Sequence, residues 1–271
     1  MDDTGPHDPT LIMGIHGVFH RHPWLGRVSE AYDLEEDVFS LAVKRAEAYG
    51  FSSTHLGSGR EVAGQRWAHH DAGGDWTEDG RVREIAWLLV SVAEAPHGQL
   101  LPVVPVATVL GDVLSRVGRF RLTGTHTLVP LHLAPDASAA LVGSAAWFAL
   151  ADPDGATGLT VTVSARPDAG LSGRADRIRD LALERTYGQL TVEAAAGGSG
   201  PAPEGPAPRL TGGTRTDGMR TDGMRQVMAF RCEVRAWSLD VAAWTTEVFT
   251  DALRATGTRD PVLITVSGPA V

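Results

Sequence analysis

One cysteine in 271 residues, Cys232, removes two kinds of chemistry at the outset. No intramolecular disulfide can form, and no zinc site can be built on cysteines. Cys232 lies in Met228-Ala229-Phe230-Arg231-Cys232-Glu233-Val234, where strict alternation puts the thiol on the apolar face. A buried structural thiol is therefore expected, not a nucleophile. Lysine is equally scarce. Lys44 is the only one, so Schiff-base chemistry would rest on it alone, and its setting beside Arg45 in a helical pattern reads as solvated surface. Arginine in place of lysine, with abundant Ala, Gly and Pro, is the composition of a GC-rich, actinobacterial-like genome.

Long apolar runs are missing too. The longest, 100–110, is broken by Pro102 and Pro105 and falls well short of the roughly 20 residues that span a bilayer. The first six residues are acidic and apolar-poor, so no signal peptide is expected and a cytoplasmic location is. Positive charge is in deficit. The formal net charge of -9 argues against a nucleic-acid backbone as partner, and no membrane partner is expected. There is no Walker A loop, GxGxxG, GxSxG elbow, HExxH or EF-hand loop, which removes the common nucleotide-binding and serine-hydrolase readings.

What is present is ordinary globular material, 43% hydrophobic and 21% charged. Periodicity predicts strands over 11–20, 120–133 (breaking at Gly124), 159–165, 189–193, 226–237 and 261–267. Helices are expected over 34–49, 106–117, 136–150, 171–185 and 239–256. Asp33 is the expected N-cap and Gly50 the stop of the first helix. The 136–150 helix is apolar nearly all round, so it should be buried. Segment 82–93 is a strand or a buried helix, and 51–80 is a long loop with a short helix near 60–68.

The fold class is α/β or α+β, a mixed sheet with packed helices. A gapless match of 131–164 with 234–267 suggests duplicated ferredoxin-like βαβ units, although alanine-rich units match by chance as readily. Four parts are expected: a disordered tail (1–10), a main unit (11–193), a flexible Gly/Pro-rich loop (194–225) and a C-terminal βαβ unit packed on the main one (226–271). The loop ends in a tandem pentapeptide, Thr216-Asp217-Gly218-Met219-Arg220 and Thr221-Asp222-Gly223-Met224-Arg225, which reads as slippage in a tolerant segment.

Two clusters carry chemistry. His16, His20 and His22 share strand parity, and imidazoles two apart on one face have metal-ligand spacing, so a divalent transition metal is the cofactor they would hold. Cupins follow such a pair with a glutamate three or four residues on; Gly26 and Arg27 stand there, and that family is set aside. The bland alternative is a strand end with half-exposed histidines. The second cluster is His69, His70, Asp71 and Asp75 between Trp67 and Trp76, with His55 nearby, which supplies general acid–base groups. Adjacent His69 and His70 must diverge, so only one can face a given site. The bland alternative here is a polar surface loop with aromatic anchors. The function expected is a small-molecule enzyme or ligand-binding protein with a His-lined site in the N-terminal third. The alternative is a non-catalytic structural or interaction protein.

Overall fold

The segment Thr157–Ala165, TGLTVTVSA, shows how this sequence builds a strand. Leu159, Val161, Val163 and Ala165 are buried, and the hydroxyls between them are half-exposed on the other face. In the computed structural model, which describes residues 10–33, 36–51, 67–92, 100–134, 136, 138–171, 173–194 and 226–269, this strand is the fifth of eight. The order along the chain is β1 (Thr10–Arg21), α1 (Leu25–Tyr32), α2 (Val38–Tyr49), β2 (Trp67–Gly73), β3 (Arg83–Val92), α3 (Val103–Val117) and β4 (Gly118–Val129). Then follow α4 (Ser138–Phe148), β5 (Thr157–Ala165), α5 (Ala175–Thr186), β6 (Leu190–Ala194), β7 (Gln226–Val234), α6 (Leu239–Ala255) and β8 (Val262–Ser267).

The strands form one sheet in the order β2-β3-β1-β4-β8-β5-β7-β6, and every neighbouring pair is antiparallel. The fold is thus α+β, and the sheet of described strands is antiparallel rather than mixed. Helical crossovers still join parallel strands, but an antiparallel strand always lies between the two. With α1 and α2 taken together as one crossover, each half of the described chain runs β-α-β-β-α-β with its fourth, first, third and second strands side by side, the connectivity of a split βαβ unit. This repetition is one of connectivity alone. The match of 131–164 with 234–267 does not follow it: that match sets β5 against β8, whereas connectivity sets β4 against β8.

Helices cover one face. Leu11, Met13, Ile15 and Phe19 of β1 join the large core with α2 and α3, while Ile12, Leu89, Leu128 and Leu263 form a second cluster on the other face. The last helix is the centre of the core. Residues 241–253 of α6 are all buried, beneath α4, between α3 and α5, and over β4 and β8. Ser238 caps its first turn by accepting from the Val241 N–H at 3.2 Å.

Several local expectations change. The helix expected over 34–49 begins at Val38, because Asp37 and Ser40 form a reciprocal capping box. Asp33 instead closes α1, a helix the periodicity did not show, in a left-handed conformation (φ 51). Gly50 does stop α2, at φ 73. Within the supposed loop 51–80, β2 adds an edge strand; Trp67 and Ala68 belong to it, and 52–66 lie outside the described residues. Segment 82–93 is a strand. The strand 120–133 ends at Val129, where Pro130 has no N–H to continue the ladder, and it is irregular beside Gly124.

The helix expected to be buried, 136–150, lies on the surface. Trp147 is 65% exposed, Leu150 81% and Val142 47%; Leu141 and Ala145 are buried, and half-buried Phe148 packs on Trp244. The helix packs on α5 and α6, outside the helix layer that meets the sheet. In α5, Ile178 and Leu181 are buried but Leu183 is exposed. The tail 1–9, most of the 194–225 loop and both pentapeptides lie outside the described residues. Residues 226–271 supply β7, α6 and β8; β7 lies between β5 and β6, and β8 between β4 and β5.

Candidate metal centre

The sheet face away from the helices carries a buried polar group made by three neighbouring strands. His16 alternates with the core-facing Ile15 on β1, Glu84 is its cross-strand partner on β3, and His126 on β4 sits opposite Gly14. Gly14 makes room for them. A Cβ there would stand 2.5 Å from Glu84 Oε1 and closer still to the His126 ring, so no other residue fits without displacing the group.

His16 Nε2 and His126 Nδ1 are 2.8 Å apart, one donating and the other accepting according to tautomer. On the other side of the ring, His126 Nε2 lies 3.3 Å from Glu84 Oε1. That contact is not aligned as a hydrogen bond, and both atoms are buried without a hydrogen-bond partner. His16 is 3% exposed and His126 not at all; the Glu84 side chain, 12% exposed, is the part that reaches solvent. Burial lowers His16 to about 4 and, with neighbouring His16, lowers His126 to about 3. Burial raises Glu84 to about 7. Each shift favours the neutral form, so the His126–Glu84 contact is not an ion pair at neutral pH.

The donor set suits a divalent transition metal. Neutral imidazoles offer free lone pairs, and two histidines with one carboxylate are ligand sets for zinc and for non-haem iron. One nitrogen or oxygen from each of the three residues lies within 4.8 Å of the others. Two ligands on one tetrahedral ion stand roughly 3.3 Å apart, given bonds of about 2.0–2.1 Å. His126 Nε2 and Glu84 Oε1 already have that separation. His16 Nε2 joins the same ion only by turning away from His126 Nδ1; otherwise it holds that ring in place, as outer-shell partners do.

Comparison of the chain with protein-family models, curated proteins and solved structures finds no match. What can be said of the site therefore comes from its own geometry.

Of the histidines singled out by spacing, the structure keeps His16 in this group and places His20 and His22 elsewhere. Four strand residues separate His16 from His20 by about 13 Å, too far to share an ion. His20 is exposed, 4.0 Å from Glu78 Oε1. His22 lies beyond the end of β1, stacks on Trp24 and has Nε2 3.3 Å from the Ser115 carbonyl oxygen. The acid–base cluster disperses as well. His69 meets Phe39 and Trp67 edge-on beneath α2, with both nitrogens buried and unpartnered, and burial lowers its pKa. His70 is 2.5 Å from Ser91 Oγ, and Asp71 accepts from the Ala72 N–H. Asp75 accepts from Thr77 N–H and pairs with Arg83 at 2.7 Å; Thr77 and Arg83 hold its pKa low. His55 lies outside the described residues. The two segments do meet, but through Phe19 stacked on Trp76 and Glu78 accepting from the Arg21 N–H.

The sequence pattern does not single out Glu84, which follows Arg83 at the start of β3. For His126 it offers strand parity with His132, six residues on, a weak signal, and an interruption of the apolar and hydroxylated stretch 122–129.

Proposed function

We propose that the protein binds a divalent transition metal through His16, Glu84 and His126, and binds or transforms a small molecule there. The observation that carries this reading is the facing pair of buried, unpartnered atoms, His126 Nε2 and Glu84 Oε1, at ligand separation. Leaving two such atoms unsatisfied costs about 1–3 kcal/mol each, a penalty that a bound cation would remove. With three protein ligands, a metal would keep an open position for water or substrate, reached past Glu84.

The test is titration of chelator-stripped full-length protein with zinc(II) and cobalt(II), read by calorimetry and by cobalt absorption. One ion per chain is expected. Glu84→Gln should weaken binding by more than roughly 100-fold, beyond the 10–100-fold typical of an outer-shell loss. Gly14→Ala should abolish binding, and the double variant His20→Ala/His22→Ala should retain it. Wild-type protein that takes up no ion at neutral pH, or binding indifferent to Glu84→Gln, would refute the assignment.

The alternative, a non-catalytic interaction protein, draws support from the exposed apolar side chains Val142, Trp147 and Leu150 on and beside α4. It becomes the better reading if no metal binds.

A further inference from the structure

The outer face of α4 is apolar and uncharged. Leu141 and Ala145 turn into the fold, where the helix packs on α5 and α6. On the other side, Ala139, Val142, Gly143, Ala146, Trp147 and Leu150 are all exposed. Spacings of three and four residues put these six on one stripe. Leu150 continues it past the end of the helix, its N–H donating to the Trp147 carbonyl oxygen. No residue from 137 to 151 carries a charge, whereas the solvent face of a surface helix is ordinarily charged or polar. From the exposures, with about 150–250 Å² for a whole aromatic side chain, the stripe presents roughly 400–500 Å² of apolar surface. A standard interface takes about 800 Å² from each partner, of which roughly 56–65% is apolar. The stripe therefore supplies the apolar share of one such interface.

The pattern of the stripe selects the partner. Laid against itself in reverse, it sets Leu150 opposite Ala139, Trp147 opposite Val142 and Ala146 opposite Gly143. Each outer pair joins a larger side chain to a smaller one, and two small residues fall at the crossing. A twofold axis between Ser144 and Ala145 gives this pairing, and a self-matching patch is what an isologous contact requires. The space over the crossing is open, because a Cβ on Gly143 would meet nothing of its own chain within 4 Å. Charge favours the same partner. Copies that each carry a net charge of -9 repel one another, and an uncharged face is where they meet at the least like-charge cost. We propose that the protein forms a homodimer through α4, the two helices crossing antiparallel at Gly143 and Ala146. The metal centre lies on the sheet face away from the helices, so this pairing rests on neither reading of the function.

The test is sedimentation equilibrium of the full-length protein at about 50 µM, above the micromolar dissociation constants at the weak end for interfaces of this size. Wild type should sediment as a dimer. Gly143→Lys and Ala146→Glu each put a charge at the crossing, on positions that the chain's own packing leaves open. Both variants should keep the wild-type circular dichroism spectrum and a cooperative melt. Each should be a monomer, its dissociation constant raised at least about 100-fold by the like charges brought together at the crossing. An equimolar mixture of the two variants should dimerise again, because opposite charges then face each other across the twofold axis. A monomeric wild type would leave this face to another protein and overturn the proposal. So would a dimer that both substitutions leave intact, or a mixture that stays monomeric.

Discussion

At the scale of single residues, the most unusual group outside the metal centre is Glu247. It is buried in α6, where Oε1 accepts from the Val104 N–H at 3.3 Å. Burial raises its pKa from 4.5 to about 8, against the lowering effect of that bond. The folded state therefore holds this proton more tightly than the unfolded chain. Its contribution to stability is full below pH 4.5 and falls as the pH rises towards 8. Glu247→Gln should become progressively more stable than wild type across that window, by on the order of a few kcal/mol at its alkaline end. Paired thermal melts at several pH values isolate the group, because Glu84, His16 and His126 titrate alike in both proteins. A difference that does not grow with pH would disprove the neutral buried carboxyl. Residues of this kind are only partly legible. Glu247 stands out in the sequence as a charge within Val241-Ala242-Ala243-Trp244, Val248 and Phe249, but nothing local says that all sides of the helix are covered. Gly14 is less legible still, since its need for a missing Cβ arises from His126, 112 positions away in the chain, and from Glu84.

At the scale of elements, α4 shows where periodicity stops being informative. Its apolar content marks a helix but not its layer. The residue exposures predict opposite outcomes at two positions only two residues apart, on opposite faces of the helix. Trp147→Asp should change stability by no more than about 0.5 kcal/mol, because the side chain is 65% exposed. Ala145→Asp, at a position 3% exposed, should cost at least about 2 kcal/mol by burying a charge without a partner. Urea unfolding measures both, and similar values would mean that the surface placement of α4 is wrong. The β strands were more legible than the helix ends. Alternation located β1, β5, β7 and β8, whereas α1 and β2 were hidden in stretches without clear period. The start of α2 was settled by a side chain–backbone bond at Asp37, not by the apolar stripe.

At the scale of the whole molecule, the closing 46 residues are structural keystones rather than an appendage: β8 pairs with β4 and β5, β7 pairs with β5 and β6, and α6 fills the core. A chain ended after Arg225 should therefore fail to fold, giving no cooperative thermal transition by circular dichroism. A sigmoidal melt from that fragment would mean that the first part is an independent unit. What the sequence determined by itself is the set of local choices: most strands and helices, the buried Cys232, the absence of disulfides, and the divergence of His69 and His70. These depend on period and spacing within a few residues. What only the tertiary structure decided is which elements become neighbours: the antiparallel strand order, the outer position of α4, and the meeting of His16 with Glu84 and His126. Spacing along one strand joined His16 to His20 and His22, but a strand advances about 3.3 Å per residue while its neighbours lie within about 5 Å. A ligand group therefore assembles across strands, and no count along one strand can show it.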